Sequence, residues 1–261
     1  MIMGGTSGIG LNVAERLAGR GYMVGVAGRK DDVMRTLSEK YPRNIVWQHI
    51  DVNSPEAPAA FHELIGRMGG MDIYFHISGV GEKNHFLEPA PEEKMVQTNV
   101  VGFARLVGEA YRYFRDHRKG RGRIAAVTSV AGTNGIGELA AYSATKAFQQ
   151  TYLRALDQLS RLSGLRIRFT DIRPGWIRTP LLDPTRQYPM TMELSYAVPL
   201  IVKALRCGRR VAVIDWRWNL FVGLWRLIPN WLWVRLPIHI DSRSTAVEAR
   251  SNALRAADGE G

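Results

Sequence analysis

The chain has 261 residues, 46% of them hydrophobic, which suits one packed α/β domain and excludes a disordered chain. Its single cysteine, Cys207, excludes an intrachain disulfide, and the opening Met1-Ile2-Met3 lacks the basic and apolar regions of a secretory signal, so a cytoplasmic protein is expected. The net charge of +11 favours anionic ligands or surfaces.

In chain order, short apolar runs at residues 23–27, 45–50, 73–77, 124–127, 167–172 and 211–214 predict strands buried on both faces. Helical spacing predicts helices at 12–19, 31–40, 91–116 and 138–162, the second with acids at its start and Lys40 at its end, as the helix dipole prefers. Strands separated by helices imply a parallel sheet with right-handed crossovers, and residues 1–215 read as one domain. Only three residues precede Gly4, so the first strand is expected either to start upstream or to have a poorly held edge. Residues 216–240 form a separate Trp/Arg-rich apolar segment, and residues 241–261 a polar tail expected to be loose, with at most one weak helix.

The first strand runs into Gly4-Gly5-Thr6-Ser7-Gly8-Ile9-Gly10 and a helix. Glycines let such a turn approach a pyrophosphate, and the helix start offers free N–H groups and a positive dipole end. After the second strand the chain reads Ala27-Gly28-Arg29-Lys30. An acid here would hold a ribose 2′-hydroxyl; Gly28 removes it, and Arg29 with Lys30 can pair with a 2′-phosphate, which selects NADP(H) over NAD(H). Asp51 and Val52, after the third strand, suit an adenine edge, while Asp51 could equally cap a helix.

Tyr142 and Lys146 lie four residues apart, on one face of a helix. A nearby ammonium is expected to lower the phenol pKa, fitting Tyr142 to act as acid toward a ketone or base toward an alcohol. Ser129, at the C-terminal end of a strand, can orient a carbonyl oxygen. Asn99 is a poor residue for a helix interior and predicts a kink or an ordered water. Singly, each has a plain structural explanation; their joint order is what points to a site.

These residues give the chain a clear likeness. It resembles the short-chain dehydrogenase/reductase family through the Gly4 to Gly10 turn, Asp51-Val52, Asn99, Thr128-Ser129, Tyr142 with Lys146, and Pro174-Gly175-Trp176-Ile177-Arg178-Thr179. The resemblance implies a Rossmann-like, doubly wound, seven-stranded parallel sheet with helices on both faces. It implies a proton-transfer set of Asn99, Ser129, Tyr142 and Lys146, in which the lysine also holds the nicotinamide ribose and the asparagine positions a water. Further, it implies that Ser78 and Gly79 approach the cofactor, that Pro174 and Gly175 pass over the nicotinamide, that Ile177 and Thr179 contact its carboxamide, and that residues 181–198 form a substrate lid. A homodimer or homotetramer through the two long helices is the implied assembly. One departure is His76-Ile77-Ser78-Gly79, where the family has two asparagines, an alanine and a glycine.

Trp216, Trp218, Trp225, Trp231 and Trp233 are five of the seven tryptophans, and Arg217, Arg226 and Arg235 interleave with them. Arg226, Pro229 and Asn230 interrupt the run too early for a membrane span. Tryptophan with arginine suits a membrane interface and equally a subunit contact or a flap on the core. The membrane case favours an apolar, lipid-like ketone over other small carbonyl or alcohol substrates. The histidines show no metal-ligand spacing, so no metal is expected, and no nucleic-acid-binding module is recognisable. A non-catalytic NADP(H)-binding regulator or a peripheral membrane protein on the same fold is the alternative function.

Overall fold

The computed structural model describes residues 1–185 and 188–238; the tail at 241–261 lies outside the described residues. Seven strands form one sheet: β1 (Ile2–Met3), β2 (Val24–Gly28), β3 (Ile45–His49), β4 (Ile73–His76), β5 (Arg121–Val127), β6 (Arg166–Arg173) and β7 (Val211–Val213). Their order is β3-β2-β1-β4-β5-β6-β7, parallel throughout. The two-residue β1 is not poorly held: it lies mid-sheet, with Ile2 and Met3 opposite Val26 and Ala27 on one side and Phe75 and His76 on the other. Both residues are buried, so packing from two neighbours replaces what length would supply.

Helices α1 (Gly8–Ala18), α2 (Asp31–Lys40), α3 (Ala57–Arg67), α4 (Pro89–Val96), α5 (Phe103–His117), α6 (Ala140–Leu162) and α7 (Leu194–Cys207) complete the doubly wound layers. One core joins α1 and α7 to the sheet through Val13, Ala14, Ile201 and Leu205. The other joins α3, α5 and α6 to the opposite face through Phe61, Leu64, Phe103, Leu106 and Leu153. The predicted helix at 91–116 is interrupted by a π-turn over Gln97–Gly102 that contains Asn99. Strand order reverses between β1 and β4, so the carboxyl ends of these strands border the crevice where open α/β sheets take ligands. Two further helices, α8 (Trp216–Trp225) and α9 (Asn230–Trp233), follow β7 and reach back toward that edge. Among the described residues no helix is long and apolar enough to cross a membrane.

Candidate active site

The glycine turn is tight because its neighbours leave no room for side chains. Gly4 has φ +90°, and a Cβ there would lie 2.6 Å from the Ser78 nitrogen. A Cβ on Gly10 would lie 2.0 Å from the Gly4 carbonyl oxygen, so α1 can start against the turn only with glycine. Ser7, the N-cap of α1, makes no side-chain bond to the helix, which leaves the first turn's donors open. Gly4, Thr6, Ser7, Gly8 and Ile9 line a cavity of about 1110 Å³; Gly10 lies behind it. Backbone donors, two hydroxyls and a helix dipole are the fittings a pyrophosphate requires.

Along the same cavity, β2 delivers Gly28 and Arg29. Arg29 is exposed, with Nη1 3.9 Å from the Asp51 carboxylate. Lys30 does not reach the cavity lining and instead precedes α2 as its N-cap. Asp51 lines the cavity too, but its expected capping role is corrected: α3 begins only at Ala57, and Asp51 Oδ1 accepts from the Asn53 N–H at 3.0 Å, closing a turn. Val52 lines the cavity and packs where only a glycine, Gly102, fits against it.

At the other end of the crevice, Ser129, Tyr142 and Lys146 come together. Ser129 caps a short 3₁₀ turn, accepting from Ala131 N at 3.1 Å, and its carbonyl accepts from Gln150 Nε2 at 2.7 Å. Its hydroxyl faces the same cavity as the Tyr142 phenol and favours the ionised form of that phenol. Lys146 Nζ donates to the Val127 carbonyl at 3.2 Å and to Gln149 Oε1 at 3.1 Å, and lies 5.6 Å from the centre of the Tyr142 ring. The expected lowering of the phenol pKa is not found: burial pushes Tyr142 up, with the Ser129 hydroxyl only partly opposing it. The same burial brings Lys146 down to about 8, against an upward pull from Asp171. Desolvation is the largest cause of both shifts.

Asn99 is fully buried and does not line the cavity. Its Nδ2 donates to the Val80 carbonyl (2.7 Å) and Thr145 Oγ1 (3.1 Å), and its Oδ1 accepts from Val80 N (2.9 Å), so it ties the loop after β4 to α6. Its main-chain carbonyl accepts from Gln149 Nε2 at 2.9 Å. Ser78 and Gly79 line the cavity. Beneath the site, Thr128 Oγ1 donates to Asp171 Oδ1 (2.5 Å), and Arg173 pairs with the other Asp171 oxygen at 2.6 Å, all buried. Gln149, Gln150 and Asp171 escaped the sequence reading; the one signal was an acid, Asp171, within a run expected to form a buried strand.

Pro174, Gly175, Ile177 and Thr179 form the far rim. A Cβ on Gly175 would lie 2.1 Å from the Trp218 ring, so the tryptophan of α8 rests directly on this rim. Trp218 Nε1 also donates to the Met190 carbonyl at 3.2 Å. Trp225 and Trp233 stack with centroids 5.0 Å apart, and Trp233 Nε1 donates to the Gly135 carbonyl at 2.7 Å. Phe221, Leu224, Ile228 and Leu236 extend the wall. Of the readings left open for this segment, the inner face is thus a flap on the core. Its outer face keeps Trp216, Leu220, Leu227, Trp231 and Val234 exposed.

Known proteins share this architecture. The short chain dehydrogenase family model matches residues 1–189. An uncharacterized oxidoreductase of Myxococcus xanthus is 29% identical over 239 residues, covering 88% of this chain and 92% of the relative. A short-chain dehydrogenase from Sphingobium yanoikuyae, solved with NADPH, superposes with a TM-score of 0.71 at 23% identity, over 88% of this chain and 96% of that one. An actinorhodin polyketide ketoreductase, solved with NADPH, has a TM-score of 0.61 at 28% identity, over 69% of this chain and 71% of that one. The glycine turn, the Ser129–Tyr142–Lys146 cluster and the match over residues 1–189 agree, and the chain belongs to the short chain dehydrogenase family of oxidoreductases.

Proposed function

We propose that this protein is an NADP(H)-dependent reductase of apolar, lipid-like ketones in which Tyr142 is the proton donor. When bound, the reduced nicotinamide supplies the hydride to the carbonyl carbon. Gly4, Thr6, Ser7, Gly8 and Ile9 would hold the pyrophosphate, Arg29 the 2′-phosphate, and Asp51 and Val52 the adenine side. Ser78, Gly79, Pro174, Gly175, Ile177 and Thr179 border the nicotinamide end, where Lys146 presents its ammonium to the ribose. The carbonyl oxygen sits between the Ser129 and Tyr142 hydroxyls, and the phenol gives up its proton as the oxygen gains charge. The Ser129 hydroxyl lowers the cost of ionising Tyr142, partly offsetting the burial that raises it. A ketoreductase at 28% identity bound to NADPH supports both the cofactor and the reaction class.

One observation carries the substrate class: the wall beyond the reacting groups is tryptophan, phenylalanine and leucine from α8 and α9. Glu82, Lys83 and Asp183 line other parts of the cavity, but against this wall an alkyl or ring system would bury its surface. The same helices present apolar residues outward, with the Arg235 guanidinium 5.9 Å from the Trp231 ring centre. That pattern favours contact with an anionic membrane surface, from which an apolar ketone could enter the cavity. Assembly as a homodimer or homotetramer through α5 and α6 is part of the same proposal.

The test is a series of ketones and aldehydes of increasing apolar length, offered with NADPH and NADH side by side, following loss of the reduced cofactor. The expected result is turnover with NADPH well above NADH, and kcat/KM rising with apolar length. Turnover confined to small polar carbonyls, or equal use of both cofactors, overturns the corresponding part of the proposal.

A further inference from the structure

Lys146 does not stand alone on α6. Three residues on, Gln149 is almost wholly buried (1% exposed), and both ends of its amide are hydrogen-bonded. Its Oε1 accepts from Lys146 Nζ at 3.1 Å, and its Nε2 donates to the Asn99 carbonyl at 2.9 Å. Those partners fix which way round the amide sits: the oxygen must face the ammonium and the nitrogen the carbonyl. The Asn99 carbonyl belongs to the π-turn, a local widening that frees main-chain groups for partners outside the helix. Two elements of different origin, the π-turn and α6, are thus joined through one side chain directly behind the lysine.

We infer that Gln149 is a positioning residue for Lys146: its amide, held by the Asn99 carbonyl, anchors the ammonium so that the N–H not given to Gln149 or Val127 faces the cavity. This rests on the reading of Tyr142 and Lys146 as the proton-transfer pair. An amide is neither acid nor base near neutral pH, so Gln149 passes no proton onward. Three other groups bear on the same ammonium. Tyr142 lies one turn back on α6, Asp171 on β6 pulls toward the charged form while Arg173 neutralises that acid, and His76 on β4 is held neutral by burial. Gln149 differs from them in touching Nζ without carrying charge.

The test uses the full chain without cofactor, with 13Cε-labelled lysine followed by NMR across pH. The Lys146 resonance is identified by its loss in Lys146→Met. Removing the acceptor in Gln149→Leu or Gln149→Met should move the Lys146 midpoint down. Placing a carboxylate there in Gln149→Glu should move it up by about one pH unit or more. In steady-state reduction, the high-pH limb of kcat should move the same way in each variant, with kcat for Gln149→Leu down about tenfold to hundredfold. A purely structural role would lower kcat or stability without moving midpoint and limb in opposite directions for the two kinds of variant. Identical midpoints in all folded variants overturn the inference. So do midpoints that move while the kcat limb stays fixed. If instead wild-type protein and Tyr142→Phe turn over alike, it is the underlying proton-transfer reading that fails, and the NMR midpoints still report on the Gln149 anchor.

Discussion

The two ends of the cavity are built by different means. The dinucleotide end and the proton-transfer end use short local motifs: a glycine turn whose Cβ positions are blocked, and a tyrosine and lysine one helical turn apart. The far end offers mainly shape, in the form of two helices from the end of the described chain that rest Trp218 on Gly175 and stack Trp225 on Trp233. Chemistry that must place a proton or a phosphate within a few tenths of an ångström depends on fixed donors. Selection of an apolar substrate tolerates many side chains of the right bulk. The family-defining part of the chain therefore lies in the first end and the individual character of this protein in the second.

The largest effect that would break this contrast is at the glycine turn. Gly10→Ala puts a Cβ against the Gly4 carbonyl, so loss of about 3 kcal/mol or more of stability is expected by denaturant titration, together with loss of cofactor binding. Retention of both would mean the turn is looser than described. Trp218→Ala comes next among the predictions. It leaves a hole over Gly175 and should cost about 3–5 kcal/mol, with KM for a long apolar ketone rising much more than for a short one. Equal changes for both ketones would remove this wall from substrate selection. Arg29→Ala should weaken NADPH binding about tenfold to hundredfold by fluorescence titration and leave NADH nearly unchanged.

A smaller effect sharpens the polar end. Burial sets Lys146 at about 8, so its ammonium is present below that pH and lost as pH rises through it. Reductive kcat should accordingly fall above about pH 8, and a flat profile to pH 9.5 would show that the charge of the lysine is not needed. The smallest effect is on the outer face: Leu227→Ser with Trp231→Ser should reduce co-sedimentation with vesicles of anionic phospholipid while leaving turnover of a soluble ketone unchanged.

How much of this was legible in the sequence follows the same division. The strands could be read because burial on both faces leaves near-continuous apolar runs, and the site residues because their spacing is local. The π-turn was signalled by Asn99, an amide in a helix interior. Gln149 was not legible, since nothing in its spacing from Lys146 shows that a carbonyl of another helix lies across from it. Nor was the raised phenol pKa, because a tyrosine and a lysine in sequence reveal an attraction but not the depth of burial that opposes it. The tryptophan-rich segment could be recognised as distinct, yet composition is the same for a wall, a membrane face and a subunit contact. Contacts such as those of Trp218 with Gly175 and Trp233 with Gly135 are what identify the wall.

The central claim is that the Tyr142 phenol supplies the proton as hydride reaches the carbonyl. Single-turnover reduction by Tyr142→Phe, compared with wild type at saturating NADPH, tests it most directly. The account predicts unchanged NADPH binding and hydride transfer slowed by at least about a thousandfold; transfer within tenfold of wild type would contradict it.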